Sequence, residues 1–146
     1  MTRDPGQFFL FFCDDGHVRL RLLPQHLAIC RLPASDPIPS WASGSILSIT
    51  RTESELSIVS EASTVPLDVQ TVSGWRALRV EGVLDFSLTG VLASLAQPLA
   101  AAGVSIFAIS TYDTDYILVR ETDVPTAIEA LSSAGHFTAA GDSAVG

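Results

Sequence analysis

The sequence predicts an α+β protein in which a ferredoxin-like βαββαβ unit follows a trimmed copy of itself. Three observations lead there. Residues 45–61, SILSITRTESELSIVSE, superpose without a gap on residues 105–121, SIFAISTYDTDYILVRE, with five identities: Ser45/Ser105, Ile46/Ile106, Ile49/Ile109, Val59/Val119 and Glu61/Glu121. A strand-like segment precedes each stretch, His26 to Leu32 in the first half and Trp75 to Glu81 in the second. The second half also carries two amphipathic helical patterns, which gives it the order strand, helix, strand, strand, helix, strand.

Residues 1–24 read as an N-terminal lead-in. The apolar run Phe8 to Cys13 is six residues long, against ~20 for a membrane helix and about 7–15 for the core of a signal peptide. Asp14 and Asp15 follow it directly, so it reads as a sticky first strand or a lead-in. The first unit is placed at 25–73. After the strand His26 to Leu32, the connection Pro33 to Gly44 holds twelve residues, among them Pro33, Pro37 and Pro39, which leaves no room for a crossover helix. The hairpin 45–61 follows, an Ile- and Val-containing run on each side of a short acidic turn. The stretch Ala62 to Gly74 is too short for a helix and a strand, and Val69 to Val72 is its remaining strand. A copy so reduced is expected to borrow cover or sheet continuity from the second unit rather than stand as an independent domain. Chance likeness between two alternating hairpins is the competing explanation of the repeat.

The second unit is placed at 74–141, with 142–146 as a tail. In Trp75 to Glu81, Leu78 and Val80 point one way while Ala77, Arg79 and Glu81 point the other, the period of a half-buried strand. Leu88, Val91, Leu92, Leu95, Leu99 and Ala102 then recur at helical spacing, with Ser87 as the cap and Gly103 as the stop. Pro98 falls inside that pattern and is expected to kink or divide the helix. After the hairpin 105–121, Asp123 caps a helix whose apolar face is Val124, Ala127, Ile128 and Leu131, ended by Gly135, and His136 to Ala140 return as a strand.

Composition narrows the function. The chain of 146 residues is 47% hydrophobic and 16% charged, with a formal net charge of −8. It therefore buries a core, and it repels phosphate backbones and anionic membrane surfaces. Arg19, Arg21 and Arg31 are the one basic grouping, broken by leucines, so neither nucleic acid nor a membrane is an expected partner. Cys13 and Cys30 are too few for a disulfide framework or a tetrahedral metal site, and they read as reduced thiols of a cytoplasmic protein. His17, His26 and His136 stand in no metal-ligand spacing. Ser87, Ser94 and Ser110 sit in no nucleophile elbow, and no phosphate-binding glycine loop is present. The expectation is a protein that is no enzyme and holds no metal or cofactor.

The pattern suits an amphoteric small molecule instead. With Ser87 as cap, the first-turn amides of Leu88, Thr89 and Gly90 lack helical acceptors and carry the positive end of the helix dipole, which suits a carboxylate. Gly90 costs about 1 kcal/mol in a helix relative to alanine; close approach of a ligand, or tight packing of the helix on the sheet, explains it. The turn Ser110 to Asp115 offers carboxylates, hydroxyls and an aromatic ring, a set that can hold an ammonium or a guanidinium. It reads equally as a solvated turn that discourages edge pairing, since Glu53 and Glu55 make the first copy as acidic.

The runs FAISTYDTDYILV at 107–119 and WRALRVEGVLDFSLTGVLASL at 75–95 resemble the CASTOR-like, amino-acid-sensing group of ACT domain proteins. The resemblance covers residues 26–138 and rests on the IST-aromatic-x-x-D segment and the glycine at the helix start. It implies a βαββαβ ACT fold used in tandem and a free amino acid, or a similar small metabolite, bound at the junction of ACT units. It implies no cofactor and no chemical step. Carried over by position, Gly90 and Val91 would meet the carboxylate end of the ligand through their backbone. Thr111 and Tyr112 would line the pocket, and Asp115 would face the cationic group. Asp85, Ser87 and Thr89 belong to the same approach to the helix. The implied role is a sensor that reports its ligand to a regulated partner protein or to a second copy of itself. A purely structural dimerisation module is the alternative.

Overall fold

The computed structural model describes residues 17–81 and 90–139. In chain order the strands are β1 (Arg19–Leu22), β2 (Leu27–Leu32), β3 (Ser48–Arg51), β4 (Leu56–Glu61) and β5 (Gln70–Val80). Helix α1 (Val91–Ala101), strands β6 (Ile106–Ser110) and β7 (Asp115–Arg120), helix α2 (Val124–Ser133) and strand β8 (Phe137–Ala139) complete them. Two compact units result, Gln25–Arg76 and Met1–Pro24 with Ala77–Gly146.

In the unit Gln25–Arg76 the strand order is β3-β4-β2-β5, and every pairing is antiparallel. The strand expected over Val69 to Val72 and the one expected from Trp75 are a single strand, β5. The boundary expected between residues 73 and 74 falls inside this strand, where Gly74 takes φ 83°, a conformation open to glycine. The register against β2 shifts there from Ile29↔Val72 to Leu27↔Trp75. The chain absorbs one extra residue as a β-bulge and the strand runs on.

Of the two supports that so trimmed a copy is expected to borrow, sheet continuity is present, since β5 pairs with β2 and with β1, whereas the cover is the unit's own. Ala28, Cys30, Leu56 and Ile58 form its buried core. Trp41 and Ala42 from the proline-rich connection pack on that core, together with Ala62 and Val65 at the ends of the short 3-10 turn Ala62–Thr64. Trp41 contributes much of that cover, because an aromatic side chain can withdraw about 150–250 Å² from water. The Cys30 thiol is buried in this core; burial pushes its pKa up, and a hydrogen bond from Thr71 acts the other way.

In the other unit the strand order is β6-β7-β5-β1-β8. Strand β1, at the end of the segment expected to be a lead-in, is antiparallel to β5 (Leu20↔Val80) and parallel to β8 (Arg19↔Phe137). Leu20, Leu78, Val80, Ile117 and Val119 from the strands meet Leu95 and Leu99 of α1 and Ala127 and Leu131 of α2 in one buried core. Each fully buried leucine there contributes about 2 kcal/mol through the apolar area withdrawn from water.

Both helices stop as their glycines predict. Gly103 and Gly135 take φ 77° and 94°. Val104 N–H donates to the Leu99 carbonyl and His136 N–H to the Leu131 carbonyl, each at 2.9 Å, the six-to-one closure of a left-handed C-terminal cap. The helix starts differ from expectation. Asp123 stands at the N-cap of α2 but its side chain makes no capping hydrogen bond. Pro98 does not divide α1; the helix runs past it. The three arginines make no patch. Arg21 and Arg79 lie directly opposite one another and both bond Glu81, at 3.2 and 3.0 Å. Arg31 donates to the Ser54 carbonyl, and Arg19 lies over the Phe137 ring at 5.6 Å.

Candidate functional site

Gly90 is not inside the helix. It is the N-cap of α1, in the left-handed region at φ 88°, so its lack of a side chain answers to backbone conformation. Its carbonyl accepts the first intrahelical bond, from Ser94 N–H at 2.8 Å. Among the described residues, the α1 amides left without helical acceptors include those of Val91, Leu92 and Ala93. Asp85, Ser87 and Thr89, and with them the expected Ser87 cap and Leu88, fall outside the described residues. Val91 packs on the core shared by Ile117 and Val119.

Thr111, Tyr112 and Asp115 come together on the β6–β7 turn. The turn is closed by Thr111 N–H donating to the Thr114 carbonyl at 2.8 Å. The Thr111 hydroxyl donates to the same carbonyl at 2.9 Å and accepts from Thr114 N–H at 3.2 Å. Thr114 is itself buried, and its hydroxyl donates to the Val80 carbonyl at 2.7 Å, which fixes the turn to β5. Tyr112 stands at the tip, 80% exposed.

The first hairpin repeats this construction, at a different offset from the one the sequence match suggests. Its turn is closed by Thr52 N–H donating to the Glu55 carbonyl at 2.9 Å, and the Thr52 hydroxyl accepts from Ser54 N–H and Glu55 N–H. Strand β4 begins at Leu56 and β7 at Asp115, with the burial patterns BiBBBi and BiBBBe. Thr52 therefore corresponds to Thr111 and Leu56 to Asp115, an offset of 59 where the gapless match gave 60. One residue of slip turns every side chain to the other face of a strand. The identity Val59/Val119 and the pairing Glu55/Asp115 are thus not structural equivalences; the acidic Glu55 lies in the turn, at the position that Thr114 holds in the second hairpin.

Asp115 consequently occupies a core position. It is 8% exposed, where Leu56 in the first hairpin is 0% exposed, and it shares a strand face with Ile117 and Val119, which pack under the helices. Among the described residues the Asp115 carboxylate forms no ion pair, and its oxygens are not among the buried polar atoms left without a partner. Among the described residues no cluster of three or more metal-ligating side chains is present, and no helix is long and apolar enough to cross a membrane.

His17 and His26 lie at the surface, but His136 does not: it is 5% exposed and both ring nitrogens are bonded. The signal that could have found it is Pro98. A proline inside a helix leaves the carbonyl four residues earlier, that of Ser94, without its donor, and the His136 ring supplies one.

A mixed sheet whose βαββαβ order packs two helices on one face defines a ferredoxin-like α+β domain. The chain belongs to the ACT domain family: residues 70–133 match the ACT domain model, and residues 25–68 match a model described as an N-terminal domain. It is 37% identical over 106 residues to the human cytosolic arginine sensor for mTORC1 subunit 1, a match that takes in 67% of this chain and 32% of the relative. The chain thus spans about a third of the length of that relative. Among solved structures, the Agrobacterium tumefaciens protein Atu0741 is similar with a TM-score of 0.81 and 39% identity, over 85% of this chain and 93% of that one. The regulatory subunit of aspartate kinase from Thermus thermophilus shares the fold, with a TM-score of 0.55 and 12% identity over 76% of this chain and 93% of that one.

Proposed function

We propose that this chain is an amino-acid sensor: it binds a free amino acid or a similar small metabolite, carries out no chemical step, and reports occupancy to a partner protein in the cytoplasm. Residues 25–73 and 74–141 are its two ACT units, the first trimmed. The single observation that carries the reading is Asp115, an acidic residue at the head of β7 that forms no ion pair among the described residues, at a position where the sister hairpin holds leucine. A ligand ammonium or guanidinium would supply the missing charge. The first-turn amides of α1 at Val91 and Leu92 would take the ligand carboxylate, and Thr111 and Tyr112 would flank it. The names of relatives support the class of ligand, since the human protein is an arginine sensor.

Isothermal titration with each proteinogenic amino acid tests this. At least one is expected to give heat and to raise the melting temperature, and Asp115→Asn is expected to weaken that binding by about a hundredfold, the equivalent of ~2.7 kcal/mol for a charge-assisted contact. Silence from every amino acid in both measurements would sink the sensor reading. The second reading, a structural dimerisation module, draws on β6, which pairs on one side with β7 and is an edge strand. It predicts a dimer by light scattering whose mass is indifferent to every amino acid.

A further inference from the structure

Helix α1 is held to the sheet by more than apolar packing. His136 follows Gly135, which ends α2, so its backbone is fixed by the helix cap through His136 N–H and the Leu131 carbonyl. Its ring then reaches two separate elements. Nδ1 accepts from Val18 N–H at 2.9 Å, immediately before β1. That bond requires a lone pair on Nδ1 and so places the proton on Nε2, which lies 2.9 Å from the Ser94 carbonyl of α1 and donates to it. Pro98 is what makes this carbonyl available, because the proline has no N–H to return to it. The neutral ring thus satisfies one backbone donor and one backbone acceptor at once, and its doubly protonated form has no acceptor to offer Val18.

We propose that neutral His136 is a latch that fastens α1 to the start of β1 in the same unit through the carbonyl freed by Pro98, and that protonation of the ring opens it. The inference is independent of any ligand. The surroundings of the ring favour the closed form. Burial is the main cause that pushes the His136 pKa below its ordinary range; the Ser94 bond acts against this, and the His17 charge acts with it. The His17 ring stands edge-on at 6.3 Å. Helix α1 and strand β8 carry no ionisable side chain between Val91 and Ala101 or between Phe137 and Ala139. On α2 the one ionisable residue, Glu129, is exposed, and Arg19 of β1 lies over Phe137. Among the described residues no carboxylate stands ready to pair with an imidazolium. Because the folded pKa is depressed, the unfolded chain takes up the proton first. The stability contributed by the latch is therefore complete above the ordinary histidine value of about 6.5 and is lost as pH falls below it through the folded value.

Nitrogen-15 NMR on the full chain reads the ring and the two elements together. At about pH 7.5 the spectrum is expected to show the Nε2–H tautomer. On acidification, the Val18 amide and the α1 amides should lose exchange protection, corrected for intrinsic rates, by about tenfold, with the same midpoint as the ring. Pro98→Ala, a substitution that favours helix, separates the two arms: with an amide returned to Ser94, α1 should keep its protection in acid while Val18 still loses it. His136→Gln should abolish the shared midpoint; if that variant does not fold, the wild-type and Pro98→Ala profiles decide. An Nδ1–H tautomer at neutral pH, different midpoints for Val18, α1 and the ring, or an acid response of α1 unchanged by Pro98→Ala would each overturn the latch.

Discussion

The two hairpins of this chain are built to one plan and used for different ends. In both, a threonine opens a four-residue turn and closes it through backbone and hydroxyl to the last turn residue, Thr52 to Glu55 and Thr111 to Thr114. In both, the second strand turns the same pattern of side chains inward. The difference is the first inward position. Leu56 closes an apolar core under Trp41 and Ala42, whereas Asp115 brings a carboxylate to the equivalent place. The contrast makes Asp115 the residue at which the proposed ligand contact is tested most directly.

Exchanging the two residues breaks the comparison most sharply. Leu56→Asp places a carboxylate among Ala28, Cys30 and Ile58 with no cation in that core, and a loss of about 3–5 kcal/mol is expected. The two tryptophans, Trp41 and Trp75, both lie in the unit Gln25–Arg76, so fluorescence during urea unfolding reads that unit directly. A midpoint equal to the wild type would mean that the first hairpin tolerates charge as the second does, and the asymmetry would lose its meaning. The reverse exchange, Asp115→Leu, is expected to act with the opposite sign, raising stability by about 1–2 kcal/mol while removing amino-acid binding. Circular dichroism follows it, because both described helices lie in the unit that contains Asp115. A variant that loses stability would show that the carboxylate has a structural partner.

How much of this was legible in the sequence depended on whether the signal was local. Gly103 and Gly135 marked both helix ends, because a left-handed cap needs glycine and little else. That no helix is described between β2 and β3 followed from the prolines between Pro33 and Pro39. What failed were readings that depend on distant partners. Strand β1 escaped notice because four residues, RLRL, form a strand only when β5 and β8 flank them. Trp41 as the cover of the first unit could not be seen without the core beneath it. The hairpin offset failed for a subtler reason: isoleucine and valine recur on both faces of these strands, so identities accumulate at the wrong register as readily as at the right one. The turn threonines, Thr52 and Thr111, carried the correct offset, because a hydroxyl that locks a four-residue turn has one place to stand. For the site, the sequence placed Asp115 on a turn with a cationic ligand in view. That it stands inward, at the head of β7, comes from the structure.

The smallest expected effect tests the part of the plan the two hairpins share. Thr52→Ala and Thr111→Ala each remove one hydroxyl from an exposed turn whose main-chain closure remains. Each should cost about 0.5–1 kcal/mol, the net worth of an ordinary hydrogen bond, and the two losses should agree closely. Their consequences for binding should not agree. The Thr111 hydroxyl accepts from Thr114 N–H, and Thr114 immediately precedes Asp115 and is tied to the Val80 carbonyl. Loosening it lets the carboxylate turn toward water, and affinity for the amino acid should fall about three- to tenfold, a cost similar to that in stability. Thr52→Ala, in the hairpin that ends in leucine, should leave affinity unchanged. If both variants weaken binding alike, the ligand is held by features common to the two hairpins and Asp115 loses its special place; if neither does, the turn positions nothing and the carboxylate is held by β7 alone.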